Sequence, residues 1–172
     1  MRFVEDFARA AMTYRALRNM KVGVLSRMCG MGDILIDDMA FYRNIGVEIC
    51  NDTIGSVYTR MQQITKKEID AQIEKDHATF IMDPKLGYES HAEAVKMYLG
   101  FKRWLTDKGF GAFTAQFDIF GDDTRFRQLP LYAASQLMAD GFGYAAEGDF
   151  VCASMVAAAH MLGDGGGNFT EM

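Results

Sequence analysis

Proline is nearly missing from this chain, with two residues in 172, Pro84 and Pro130, so little interrupts long helices. Cysteine is scarce and odd in number: Cys29, Cys50 and Cys152 stand far apart without a CxxC pair. That excludes a disulfide framework or a zinc knuckle, and predicts reduced, buried thiols in a cytoplasmic protein. Three histidines, His77, His91 and His160, fall on separate helical runs with neither HxxE nor HExxH spacing. They read as ordinary surface or core residues rather than as ligands. There is no excess of positive charge: 18 Lys and Arg stand against 23 Asp and Glu, for a net charge of −5. A nucleic-acid partner would require a basic face, so none is expected. No apolar run reaches the length of a membrane span, and Arg2, Glu5, Asp6, Arg9, Arg15 and Arg18 exclude a signal peptide. GxSxG, Walker and Cys/His nucleophile patterns are all missing.

What is present is ordinary globular composition, 49% hydrophobic and 24% charged, enough for one core. Apolar residues Phe3, Phe7, Ala11, Tyr14 and Leu17 recur near helical spacing and predict an amphipathic helix over 3–18. A β-prone run at 21–26 is followed by Met28-Cys-Gly-Met-Gly-Asp33, a strand-to-helix turn that does not match GxGxxG. A helix over 35–42 and a strand over 47–50 follow, and the connection is long enough for a right-handed crossover and a parallel pair. A weaker helix covers 54–63. Thr65 and Glu68 fit a capping box, opening a helix with Ile69, Ile73 and Phe80 inward. Asp83 to Gly87 breaks it, and Ser90 is expected to cap the next helix, in which Ala94, Tyr98, Phe101 and Leu105 share a face and which Gly109 ends. Residues 112–120 read as a buried strand, 121–127 as a polar loop, and 131–140 as a helix with Pro130 at its tolerated first turn. Alternating β and α runs predict an α/β fold, a Rossmann-like three-layer domain with a mostly parallel sheet. Residues 1–20 are expected to connect from a preceding domain. The chain opens directly into a helix and stops inside an apparent strand, as a piece of something longer would.

The stretch 128–150, QLPLYAASQLMADGFGYAAEGDF, organises the rest. It delivers Glu147 in a turn between two apolar helical runs. Glu171 arrives after the glycine-rich 163–167, in the β-like run 168–172. Two carboxylates converging from neighbouring loop ends suit general acid/base chemistry or a hard divalent cation; alternatively both are solvated surface acids. An acid before a helix N-terminus is favoured in its ionised form, and Asp149 reads as a first-turn acid of that helix and no more. Phe117 and Asp118 fall at the carboxyl end of a predicted strand, where open α/β sheets hold ligands, although Phe117 reads equally well as core. Arg125 and Arg127 could hold a hydroxyl or an acid, or stand in solvent.

FTAQFDIF, the 128–150 stretch and GGGNFTEM together resemble the L-arabinose isomerase family and, more distantly, the L-fucose isomerase group. The similarity covers most of the chain, including the Lys21-Val-Gly and Gly46-Val-Glu strands, but its specific motifs lie in 113–172. The resemblance implies that residues 21–172 are the middle α/β domain of a metal-dependent sugar isomerase, truncated at its C-terminal end. It implies that Glu147 and Glu171 bind a divalent ion, usually manganese, and move a proton during aldose–ketose isomerisation through an enediol. It implies that Phe117 lines a monosaccharide site and that the full-length protein is a homo-oligomer. Two further histidine ligands of the family come from sequence downstream of the second glutamate, and Phe-Thr-Glu-Met replaces the commoner Phe-Met-Glu-Asp. Two other readings remain open: a non-catalytic sugar-binding α/β domain, and an assembly module whose acids are only solvated.

Overall fold

A computed structural model describes residues 2–27, 37–163 and 167–169. In chain order the elements are α1 (Arg2–Leu17), β1 (Lys21–Leu25), α2 (Asp38–Ile45), β2 (Glu48–Asn51), α3 (Ile54–Met61), α4 (Lys66–Thr79) and α5 (Tyr88–Lys108). Then come β3 (Ala112–Ala115), α6 (Asp118–Gly121), α7 (Leu131–Ala139), β4 (Gly143–Ala146) and α8 (Phe150–Leu162). The four strands form one sheet in the order β2-β1-β3-β4, and every pair is parallel. Helices cover both faces, giving the expected three-layer α/β fold.

Alternation along the strands sorts the side chains between two cores. Leu25, Phe113, Ala115, Tyr144 and Ala146 face α3, α5, α6 and α7, with Trp104 and Phe101 at the centre of that layer. Val22, Val24, Ala112 and Ala145 face α2 and α8, meeting Phe41, Phe150, Ala153 and Ala157. α4 packs outside α5, and α1 lies on α8. Thr65 and Glu68 make the expected capping box, and α5 stops at Gly109. No helix among the described residues is long and apolar enough to cross a membrane.

Several expectations need correction. Residues 112–120 do not form one strand: β3 ends at Ala115 and the chain coils at once into α6. β4 lies in the stretch read as turn and helix; its sequence, GYAA, has one β-prone side chain, and burial on both faces makes it a strand. α5 starts at Tyr88 with Gly87 at its N-cap and no side-chain cap, so Ser90 lies inside the first turn. Phe80 is half exposed at the end of α4. Cys152 is exposed and Cys50 only half-buried, and Cys29 lies outside the described residues, as does the 28–33 turn. α1 forms, but its apolar stripe is not buried: Phe3, Phe7 and Tyr14 are 81%, 68% and 57% exposed. The helix turns Thr13 and, of the stripe, Leu17 alone toward the body of the domain.

Candidate active site at the carboxyl edge of the sheet

Strand order determines where a ligand can enter. From β1 the chain steps outward to β2, then returns across β1 to β3 and continues to β4. The connections therefore diverge between β1 and β3, and the crevice of such a sheet lies outside the carboxyl ends there. Three short segments leave the strands at that edge: Ser26-Arg27 after β1, Gln116-Phe117 after β3 and Glu147-Gly148 after β4.

Glu147 continues the sheet by one bond, its N–H donating to the Ala115 carbonyl at 3.0 Å. The chain then reverses tightly. Asp149 N–H closes back on the Ala146 carbonyl at 3.0 Å, while Glu147 and Gly148 both take positive φ, 62° and 90°. Two positive φ values inside a closed four-residue turn are the signature of type I′, which favours Gly, Asn and Asp. Glycine suits position 148 for a second reason: a Cβ there would lie 2.6 Å from the Arg27 Cα. Glutamate at 147 is the unusual choice, since the left-handed region costs an ordinary L-residue about 1–2 kcal/mol. Non-glycine residues held in such conformations cluster at functional sites. Ser26, at the exit of β1, is the other described non-glycine residue with positive φ, 66°.

Directly after this turn Asp149 caps α8, its carboxylate accepting from the Cys152 N–H at 2.8 Å. Cys152 is exposed, but partial desolvation by its neighbours, the Asp149 hydrogen bond and the Asp149 charge push its thiol up to about 11, so it stays protonated near neutrality. Arg27 braces the turn from the other side. Its guanidinium makes two bonds to Asp38 at the start of α2, at 2.9 and 2.8 Å, and sits 5.0 Å over the Phe150 ring. Thr114, fully buried in β3, reaches the same turn from below.

Phe117 is half-buried one residue beyond Gln116, whose side-chain carbonyl accepts the Phe117 N–H at 2.8 Å. It lines a hollow of about 210 Å³ together with Ser135, Met138, Tyr144, Ala146 and Phe169. The last described segment thus reaches this edge. Phe169 meets Tyr144 edge-on at 5.8 Å and donates its N–H to the Met138 sulfur at 3.3 Å. Glu171, two residues further on, lies outside the described residues. Among the described residues no group of three or more His, Cys, Asp or Glu could hold a metal ion.

Other candidates stand apart from this edge chemistry. Arg125 pairs with Asp123 in its own loop and covers the Tyr58 ring at 4.8 Å, and Arg127 is exposed. His91 is buried and hydrogen-bonded at 2.7 Å to Asp76, which also accepts from Tyr132 at 2.6 Å and Gln72 at 2.9 Å. That network ties α4, α5 and α7 together, so His91 is a satisfied core histidine as expected. Thr114 and Arg27 were not foreseen from the sequence. A threonine in a strand and an arginine in a loop carry no local signal, and only the turn they contact gives them meaning.

Residues 36–165 match the family model described as L-arabinose isomerase central domain. An L-arabinose isomerase of Mycolicibacterium smegmatis is 31% identical over 179 aligned residues, covering 98% of this chain and 34% of the relative. One from Cellvibrio japonicus is 28% identical with 98% and 35% covered, and one from Clavibacter sepedonicus 34% identical with 70% and 24% covered. The chain thus spans about a third of the length of the first two relatives and about a quarter of the third. With a family model matching well over half of its residues, and a parallel α/β sheet carrying the acidic turn, the chain belongs to the L-arabinose isomerase family.

Proposed function

We propose that this chain is the central α/β portion of an aldose–ketose isomerase acting on a monosaccharide, with Glu147 as an acid of its reaction site. The observation that carries this reading is the Glu147 turn: a half-buried glutamate kept in a left-handed conformation at the carboxyl edge of the sheet. Glycine or asparagine would suit that backbone better, so the carboxylate has a use beyond the fold. Phe117 and the hollow behind it offer the apolar surface on which one face of a sugar ring can rest.

In the proposed reaction a glutamate carboxylate takes the proton from the carbon beside the carbonyl. The electron pair left behind closes a C=C bond as the carbonyl π bond opens onto its oxygen, which takes up a proton to give an enediol. The neighbouring hydroxyl then loses its proton as the new C=O forms, and the first proton returns to the former carbonyl carbon. No atom is gained or lost. Glu147 and Glu171 are the two acids for this transfer and would also be the chain's ligands for a divalent cation such as manganese. When bound, such an ion polarises the sugar oxygens and makes the transferred proton more acidic. Glu147 fits as a hard oxygen ligand, but the described residues supply no three-ligand cluster, so most of the coordination shell has to come from elsewhere.

The exposed stripe of Phe3, Phe7 and Tyr14 on α1 supports a further part of the reading: the segment works inside a larger, homo-oligomeric assembly that covers this face. Calorimetry with manganese on the wild type and on Glu147→Gln tests the site, beside a ketose-formation assay with L-arabinose and L-fucose. Weak binding that depends on Glu147, and no appreciable turnover by the 172-residue chain, are expected. Binding unchanged by Glu147→Gln, or turnover by this chain alone, would show the chemistry to be misplaced.

A further inference from the structure

We infer that Thr114 is a positioning residue whose hydroxyl locks the turn carrying the Glu147 carboxylate. This rests on the reading of Glu147 as an acid of the site. The Thr114 side chain is fully buried and straddles Glu147 with two hydrogen bonds. Its hydroxyl donates to the Ala146 carbonyl at 3.1 Å and accepts from the Gly148 N–H at 3.0 Å. Donor and acceptor of the one hydroxyl are both used, one on each side of the left-handed residue.

The β3–β4 ladder does not do this work. Among the described residues β4 pairs with β3 alone, and their ladder ends where Glu147 N–H meets the Ala115 carbonyl. Gly148 is buried, so its N–H would be left without a partner if the hydroxyl were removed. Nor does β3 itself need a hydroxyl at this position. Valine has the same shape and would pack at least as well among Ala112, Ala145 and Phe150 on that face. Threonine also differs from serine, because its β-branch restricts χ1 and keeps the oxygen aimed at the turn. The residue therefore reaches from the neighbouring strand to hold a turn whose own glutamate disfavours it.

Thr114→Val keeps shape and removes both bonds, whereas Thr114→Ser keeps the oxygen and loosens it. Two readouts on the 172-residue chain separate the possibilities: amide exchange at Gly148 without metal, and manganese affinity by calorimetry. Thr114→Val is expected to speed Gly148 exchange at least ~10-fold, with the β1 amides unchanged, and to weaken manganese binding about tenfold, the usual effect of losing a ligand's support. Thr114→Ser should stay within roughly threefold of wild type in both, a small part of that loss. Where the valine variant does not fold, Thr114→Ala against Thr114→Ser makes the same comparison. Unchanged Gly148 exchange in the hydroxyl-less variant overturns the lock. Full manganese affinity in that variant, beside loss in Glu147→Gln, overturns its link to the site while leaving the reading of Glu147 intact. Glu147→Gln without effect on manganese overturns the reading of Glu147 instead, and the exchange result still decides the lock.

Discussion

The two faces of the sheet are built from different materials. Against α3, α5 and α7 the core is bulky: Trp104 packs edge-on to Phe110 at 5.0 Å, Phe101 lies 5.2 Å from Phe113, and Phe113 lies 5.0 Å from Tyr144. Against α8 it is small: Ala112, Ala145, Ala153 and Ala157 meet there with few large side chains. Small residues let the helix approach until backbone nearly touches backbone, so that a Cβ on Gly143 would collide with the Ala153 carbonyl. Bulk on one face supplies apolar area, and thus stability. Closeness on the other holds α8 and the turn before it against the strands, which is what a precise carboxylate needs. Stability and the setting of the Glu147 turn are therefore drawn from opposite sides of one sheet, while Phe117 and its hollow belong to the bulky side.

If so, the two faces should fail differently. Trp104→Ala empties the bulkiest fully buried position and should cost about 3–5 kcal/mol by chemical denaturation. In whatever fraction stays folded, manganese binding through Glu147 should persist. Gly143→Ala on the other face should cost less, about 1–3 kcal/mol as α8 is pushed outward. Yet it should weaken manganese binding more than Trp104→Ala does, and calorimetry on both variants decides the order. A smaller effect comes from pH on the bulky face. Asp52 is partly buried, which alone would raise its carboxyl. The Trp104 indole, the Ser56 hydroxyl and the Thr53 N–H all donate to it and hold it down at about 2. A lowered carboxylate stabilises the fold above its unfolded value near 3.8, and that contribution is lost as pH falls through about 2. The loss is on the order of 1–2 kcal/mol, measured as urea midpoints between pH 5 and 2. Asp52→Asn should flatten that acid limb.

The same contrast explains what the sequence disclosed. The bulky face was legible because it is written in amphipathic helices: the Thr65 capping box, the Tyr98, Phe101 and Leu105 stripe, and the Gly109 stop all announce themselves locally. The close-packed face was not. β4 is Gly-Tyr-Ala-Ala, and nothing in alanine prefers a strand; only tertiary burial decides. α1 misled for a related reason, since its Phe3, Phe7 and Tyr14 periodicity marks a face that wants covering but not what covers it. Phe117 lay near the edge assigned to it, although the strand proposed to carry it ends at Ala115. Glu147 was legible as an acid before a helix, through its Glu-Gly-Asp context. Its left-handed backbone and its tie to Thr114 were not, because these depend on a strand 32 or more residues away in sequence.

The smallest expected effect is the sharpest test of why glutamate occupies the turn. Glu147 sits at φ 62°, where an L-residue loses about 1–2 kcal/mol relative to its preferred regions. Glycine has no such penalty but gives up more unfolded-chain freedom, about 0.5–1 kcal/mol. The difference leaves Glu147→Gly more stable than wild type by about 0.5–1 kcal/mol. For a chain of this size that corresponds to a rise in Tm of about 1–4 °C, within reach of calorimetric melting. Because Glu147 is only partly buried and the turn is closed by backbone and Thr114, any packing loss should be smaller than the gain. The same variant should lose manganese binding as completely as Glu147→Gln. A variant that melts higher and binds nothing would show that the close-packed face gives up stability to keep a carboxylate at this point. A variant that melts lower would mean that the glutamate side chain itself braces the turn, and the argument from strain to function would fall.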